Sequence, residues 1–236
     1  MTSTELELPI PGGGATTAYV SLPPSGSGGG VLLLPAIFGT TPGIKAFADR
    51  IASEGFVVAV PDMFWRTHPG PLGYDGADRE KAQERYRTFD VGQGVRDVEQ
   101  MIAWLRRRPE VVGGVGVVGL CFGGRYAFLA AAGRGADAAV SYHGTFIEAH
   151  LDECQRINGR VGLHFGESDQ HVPMAQVARI REASRANPKI EIHTYAGAGH
   201  GFMQQDRPSY CPDAAALAFA RGIALLKSAL VRGETP

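Results

Sequence analysis

Short, mainly apolar runs recur along the chain at residues 31–34, 56–60, 115–118 and 138–142. Such runs, without strict polar alternation, mark strands buried on both faces. Residues 160–165 and 190–195 read as two more strands, with polar positions admixed. Between the runs the period changes. Ile44, Phe47, Ala48 and Ile51 recur at three- and four-residue spacing, as do Val95, Val98, Ile102 and Leu105. Each set is the apolar stripe of a helix. Thr41 reads as the cap of the first helix, with Pro42 at its first position and Gly55 at its end. The same reasoning predicts helices over 78–87, 91–108, 126–132 and 174–186, and a last one capped by Asp213 and running to about residue 231. Residues 6–10 and 16–22 read as strands about a GlyGlyGly turn at 12–14. Residues 25–30, SGSGGG, read as a flexible loop. Residues 63–76, rich in Pro, Gly and aromatics, form a long irregular segment of the kind that carries function.

Strands alternating with helices predict an α/β fold. The expectation is a mostly parallel central sheet with helices on both faces, a short antiparallel N-terminal ribbon, and one domain over residues 1–236. Ligands of such sheets bind beyond the carboxyl ends of the strands. Residues just after a strand are therefore the first to search for chemistry.

Composition narrows the field. A net charge of −1 with no basic run argues against nucleic-acid binding. The ArgArgArg at 106–108 reads as the charged last turn of a helix stopped by Pro109. No apolar run approaches membrane-spanning length, and the acidic start MTSTELELPIP lacks a secretory h-region. Three cysteines without regular spacing fit neither a disulfide framework nor a zinc site. The expectation is a cytoplasmic protein that binds neither nucleic acid nor membrane.

The stretch GLCFGG, residues 119–124, joins an apolar strand to a small-residue helix. It is a nucleophile-elbow pattern with Cys121 at its apex in place of Ser. Glycines flank so tight a turn because side chains there meet strand or helix. A helix N-terminus behind the thiol favours thiolate and offers donors to an oxyanion. The other reading of Cys121 is a buried, inert core thiol. Asp169 and His200 also follow predicted strands, which puts all three on one rim of the sheet. A thiol needs a base to remove its proton, and imidazole then returns that proton to a leaving alkoxide. A carboxylate on the far ring nitrogen fixes the tautomer and stabilises the imidazolium. Taken singly, Asp169 also reads as a turn or cap residue and His200 as a loop histidine. The order Cys, Asp, His, each after a strand, favours the catalytic reading. His143 follows a strand end and is a further cavity candidate; His164 and His193 lie inside strands and read as structural.

The chain resembles the dienelactone hydrolase (carboxymethylenebutenolidase) family, a Cys-His-Asp branch of the α/β-hydrolase fold, over nearly its whole length. The matching pieces are IFG at 37–39, PD at 61–62, the segment from Arg79 to Asp90, GLCFGG, SYHG, GESDQHVP and AGHGF. The resemblance implies Cys121 as nucleophile, His200 as base and Asp169 as its orienter. It implies an oxyanion hole from the N–H groups of Ile37 and Phe122, and Arg79 as a ligand of a substrate carboxylate. From the residues alone, Arg79 reads equally as a solvated helix charge. Phe38, Tyr86, Tyr142, Phe202 and Gln204 complete the expected substrate-binding set. Two positions depart from the family. Ala36 stands where a Glu usually precedes IFG, and Gln204 stands where a second substrate arginine is usual, with Arg207 three residues on. The catalytic core is kept and the substrate clamp altered. Ala36 further predicts a Cys121 more reactive at rest than is usual for the family.

The leading expectation is hydrolysis of a small ester or lactone through an acyl-enzyme, with no metal and no cofactor. The competing class is a non-hydrolytic thiol redox sensor or ligand-binding module on the same fold. A sensor has no need of Asp169 and His200 in that order, and Cys154 and Cys211 lie far from Cys121 in sequence.

Overall fold

Residues 31–34, wholly apolar, form the inner part of a central strand, and the rest of the molecule is layered on either side of it. The computed structural model describes residues 2–231; Met1 and residues 232–236, the outer ends of the expected domain, lie outside the described residues. In chain order the elements are β1 (Thr2–Ile10), β2 (Gly14–Leu22), β3 (Gly28–Leu34), α1 (Pro42–Ala52), β4 (Phe56–Pro61), α2 (Gly76–Thr88) and α3 (Val91–Arg106). Then follow β5 (Val111–Leu120), α4 (Phe122–Ala131), β6 (Ala138–Tyr142), β7 (Arg160–Gly166), α5 (Met174–Ser184), β8 (Ile190–Tyr195) and α6 (Pro212–Leu230). Two short 3-10 turns, Ile147–Ala149 and Leu151–Arg156, lie between β6 and β7.

The eight strands make one sheet in the order β1-β2-β4-β3-β5-β6-β7-β8. The β1–β2 ribbon and the β2–β4 pairing are antiparallel, and all other neighbours are parallel. Alternation along the strands divides the core. Leu32, Leu34 and Val117 face α3, α4 and α5, whereas Val31, Leu33 and Val118 face α1 and α6. Helices on both faces cover a parallel sheet that has no face to give to water. Among the described residues no helix is long and apolar enough to cross a membrane.

Two local expectations are corrected. Gly28, Gly29 and Gly30 open β3 rather than belonging to a loop. A Cβ at Gly28 would meet the Gly55 carbonyl oxygen at 2.0 Å, so these glycines serve close strand packing instead of freedom. Cys211, not Asp213, holds the cap position of α6; Pro212 begins the helix and Asp213 sits in its first turn, where its charge suits the dipole. Thr41 caps α1 as expected, its hydroxyl accepting from the Ile44 N–H at 3.3 Å.

Candidate active site

β5 ends at Leu120 and α4 begins at Phe122, so Cys121 turns the chain alone, at φ 52° and ψ −114°. The backbone around it is packed without slack. A Cβ at Gly119 would lie 2.1 Å from the Gly123 carbonyl oxygen, and one at Gly123 would lie 2.2 Å from that of Leu34. The strained conformation is held by neighbours. The Cys121 N–H donates to the Tyr142 carbonyl at 3.0 Å, and its own carbonyl accepts from Gly124 at 3.0 Å and Thr145 at 3.2 Å. Backbone strain of this kind persists only where the surroundings over-determine it.

Asp169 follows β7 and is 3% exposed. Its Oδ1 accepts from the N–H groups of His171 at 2.7 Å and Val172 at 3.0 Å. Its Oδ2 is left to face Nδ1 of His200 at 2.8 Å. His200 follows β8 and stands between Asp169 and the Cys121 thiol. Burial opposes a charge on its ring, but the hydrogen bonds and charges of Asp169 and Cys121 outweigh burial and raise His200 to about 10. Burial pushes Asp169 upward, yet His200 and the two backbone donors hold its carboxyl below the usual range. Two more imidazoles flank His200. The His143 ring lies 4.9 Å from it and the His171 ring 4.6 Å. His143 is fully buried with neither ring nitrogen partnered, and burial first, then the His200 charge, push it well below the ordinary value. His143 is therefore a neutral packing partner rather than part of the cavity wall.

Cys121 and His200 open into a cavity of about 480 Å³. Ala36, Ile37 and Phe38 line it on the β3 side, and Arg79 and Tyr86 line it from α2. Gln204 and Arg207 line it from the segment after His200. Phe122 lies at the start of α4, fully buried beneath the Tyr86 ring. Tyr142 and Phe202 are not in the wall. Tyr142 is buried on the α6 side, its hydroxyl donating to the Ala218 carbonyl at 3.4 Å, because strand alternation carries it to the same face as Val140. Phe202 is buried against His143 and Tyr195, since the turn at Gly201 (φ 81°) sends its ring inward. Cys154, buried beside Ser184 of α5, does not line the cavity. Sequence reasoning missed Gln83, Thr145 and Phe146 in the wall and did not single out His171. Gln83 was findable, since Arg79, Gln83 and Tyr86 repeat at helical spacing on one face.

The long segment after β4 is fastened at defined points. Asp62 accepts from Phe64 N–H at 2.9 Å and from Gly70 N–H at 2.6 Å. The buried Arg85 donates to the Gly70 carbonyl at 2.6 Å and to the Ile37 carbonyl at 3.4 Å, tying this segment to the residue beside the thiol. Tyr74 donates to Asp206 at 2.6 Å. The Arg207 guanidinium lies 4.3 Å from the Tyr74 ring and 5.0 Å from that of Phe38.

Comparison with known proteins agrees with this architecture. A family model described as the dienelactone hydrolase family matches residues 16–230. The carboxymethylenebutenolidase of Pseudomonas sp. strain P51 is 34% identical over 96% of each chain. Carboxymethylenebutenolidase 1 of Cupriavidus pinatubonensis is 31% identical over 96% of this chain and 97% of its own. Among solved structures, a protein assigned as a dienelactone hydrolase in Klebsiella pneumoniae superposes with a TM-score of 0.82 at 25% identity, covering 95% of this chain and 98% of the other. With an elbow cysteine at the rim of an eight-stranded sheet, and with kinship running the length of the described fold, the chain belongs to the dienelactone hydrolase family, a hydrolase of the α/β-hydrolase fold.

Proposed function

We propose that the protein hydrolyses a small ester or lactone through Cys121, His200 and Asp169. The observation that carries the proposal is the Asp169–His200 contact of 2.8 Å, with the elbow thiol as the second partner of the same ring. Asp169 keeps its acceptor on Nδ1, so Nδ1 carries hydrogen and Nε2 serves the thiol. His200 takes the Cys121 proton, and Sγ attacks the carbonyl carbon. The oxygen so charged is met by the N–H groups of Ile37 and Phe122. As the tetrahedral centre collapses, the carbon–oxygen bond breaks and His200 gives its proton to the leaving oxygen. A thioester remains. Water, deprotonated by His200, attacks it, and the thiolate leaves with the acid as product.

Cavity size suits a small substrate, since 480 Å³ is in the lower half of the range of ligand pockets. Arg79 binds a substrate carboxylate, for which a guanidinium is the fitting donor. Gln204 is neutral, and Arg207, three residues on, brings a cation to the same wall. The name of these relatives, carboxymethylenebutenolidase, agrees with a lactone as substrate.

The test is a burst of p-nitrophenol from an aryl ester equal to the enzyme concentration, absent in Cys121→Ala. Cys121→Ala and His200→Ala should each remove most turnover, and the double variant should be little worse, because members of such a unit are non-additive. Multiplying losses would show that they do not act together. A redox sensor would give no burst in either protein.

A further inference from the structure

Among the described residues only three that are not glycine adopt positive φ: Cys121, His143 and Phe146, at 52°, 41° and 60°. Cys121 is the elbow thiol and His143 packs on His200. Phe146 lines the cavity wall but takes no part in the reaction described above. It lies in the left-handed region at φ 60° and ψ 20°, three residues after His143 and just before a 3-10 turn. A bulky residue there is an outlier, and glycine would adopt that conformation without strain. The side chain is also left in water: Phe146 is 45% exposed, one of few large apolar residues that are. Neither the backbone nor the core gains from a phenyl ring at this position. What the ring does is face the cavity that holds Cys121 and His200.

Its surroundings define a surface. The Phe146 ring lies 5.8 Å from that of Tyr86 at 51°, and both line the cavity. The Arg125 guanidinium lies 5.8 Å from the Phe146 centroid, buried and without a carboxylate within ion-pair distance among the described residues. Thr145, the residue before, is bonded through its N–H to the Cys121 carbonyl at 3.2 Å, so the ring's position is tied to the elbow. Across the thiol, on the β3 side, the wall is Phe38 with the Arg207 guanidinium over it. The two walls differ. One offers the Arg207 cation on an aromatic face; the other offers two aromatic rings, with the Arg125 guanidinium at the Phe146 ring and Arg79 two helical turns before Tyr86.

We infer that Phe146 and Tyr86 form an aryl subsite, in which a flat aromatic group on the acyl or alcohol half of the ester packs against the Phe146 ring and takes the place of water on it. This inference rests on the hydrolase reading given above. Aromatic pairs favour offset or edge contacts with centroids ~4.5–7 Å apart. Phe146 has one such partner in Tyr86 and an open side. Aligned on Cys121, the substrate completes the stack.

The experiment compares Phe146→Gly and Phe146→Tyr with the parent. Glycine accepts the left-handed backbone and removes the ring; tyrosine keeps the ring. Thermal unfolding of both variants controls for folding. Turnover is measured on matched pairs, methyl phenylacetate against methyl butyrate and benzyl acetate against butyl acetate. The subsite predicts that the parent prefers the aryl member of at least one pair. In Phe146→Gly that preference should fall about tenfold, through KM rather than kcat, in line with an aromatic contact and its burial. Phe146→Tyr should restore it. Binding of phenylacetate and butyrate by calorimetry requires no turnover and repeats the comparison if neither ester is hydrolysed. Lost turnover with retained aryl preference in binding would overturn the hydrolase reading and leave the subsite standing. Equal aryl preference in the parent and Phe146→Gly, in both turnover and binding, would overturn the subsite.

Discussion

Replacing Asp169 by Asn changes one atom and reverses the polarity of the contact on which His200 depends. The side-chain oxygen must still accept from the N–H groups of His171 and Val172, at 2.7 and 3.0 Å. The amide NH₂ is therefore turned toward Nδ1 of His200, where Oδ2 stood at 2.8 Å. A donor at that point requires a bare Nδ1, which moves the ring hydrogen to Nε2, the side of the thiol. The ring then has no lone pair with which to accept the Cys121 proton. The magnitude follows from the charge preference of the ring. A rise from the ordinary 6.5 to about 10 is about 5 kcal/mol in favour of imidazolium, drawn from Asp169 and Cys121 together against burial. If Asp169 supplies about half, its loss costs about 2–3 kcal/mol, or about 100-fold, and the wrong tautomer adds to that. Asp169→Asn should lower kcat/KM for an ester by about 10²- to 10⁴-fold.

Stability should respond with a defined sign. The His200 contribution is complete below pH 6.5 and is lost as pH rises through about 10. The Asp169 contribution is complete above its ordinary 3.8 and is lost as pH falls through its lowered folded value. The stability gap between parent and Asp169→Asn should therefore be widest from about pH 4 to 6.5 and should narrow toward pH 10. Steady-state hydrolysis from pH 6 to 10, with denaturant unfolding at pH 5.5 and 10, measures both effects. A folded variant with kcat/KM within about threefold of the parent would refute the assignment of Asp169 as the partner that orients His200.

Two other outcomes are expected. Arg79→Ala should reduce the preference for an anionic lactone over a neutral ester by about tenfold, through KM, as measured on the two substrates side by side; an unchanged preference would mean that Arg79 does not meet the carboxylate. Ala36→Glu should slow iodoacetamide alkylation of Cys121 at pH 6–7 by about tenfold, followed by peptide mass, because a carboxylate beside the thiol disfavours thiolate; an unchanged rate would mean that position 36 does not act on the sulfur.

The sequence disclosed those parts of the site that follow from one rule, that chemistry lies just beyond strand ends. Cys121, Asp169 and His200 each obey it and carry local motifs. Tyr142 obeys it in position but not in direction. Its strand alternates, so a residue two places after the buried Val140 shares the α6 face. That was open to inspection once the register was considered. Phe202 depends on how the chain reverses at Gly201, and Phe146 on a left-handed backbone that nothing in its own residue type requests. Such features are set by tertiary contact, and local pattern is silent on them. Gly28, Gly29 and Gly30 misled in the opposite sense. Composition suggested a loop, whereas within the strand the Gly55 carbonyl at Gly28, and the Leu230 and Val115 side chains at Gly29 and Gly30, leave little room for a side chain.

The fastening of the segment after β4 bears on how this enzyme's relatives can differ in length. Asp62 holds Phe64 and Gly70, and Arg85 holds Gly70 and Ile37, so strain introduced between those points ends at them. Thr67, His68 and Pro69 lie between them at the exposed rim. Residues inserted there lengthen an exposed loop while the fastened backbone from Gly70 to Ile37 keeps its place. Length can then change at residues 67–69 without strain passing to the site, which makes them the point at which the chain tolerates an added loop.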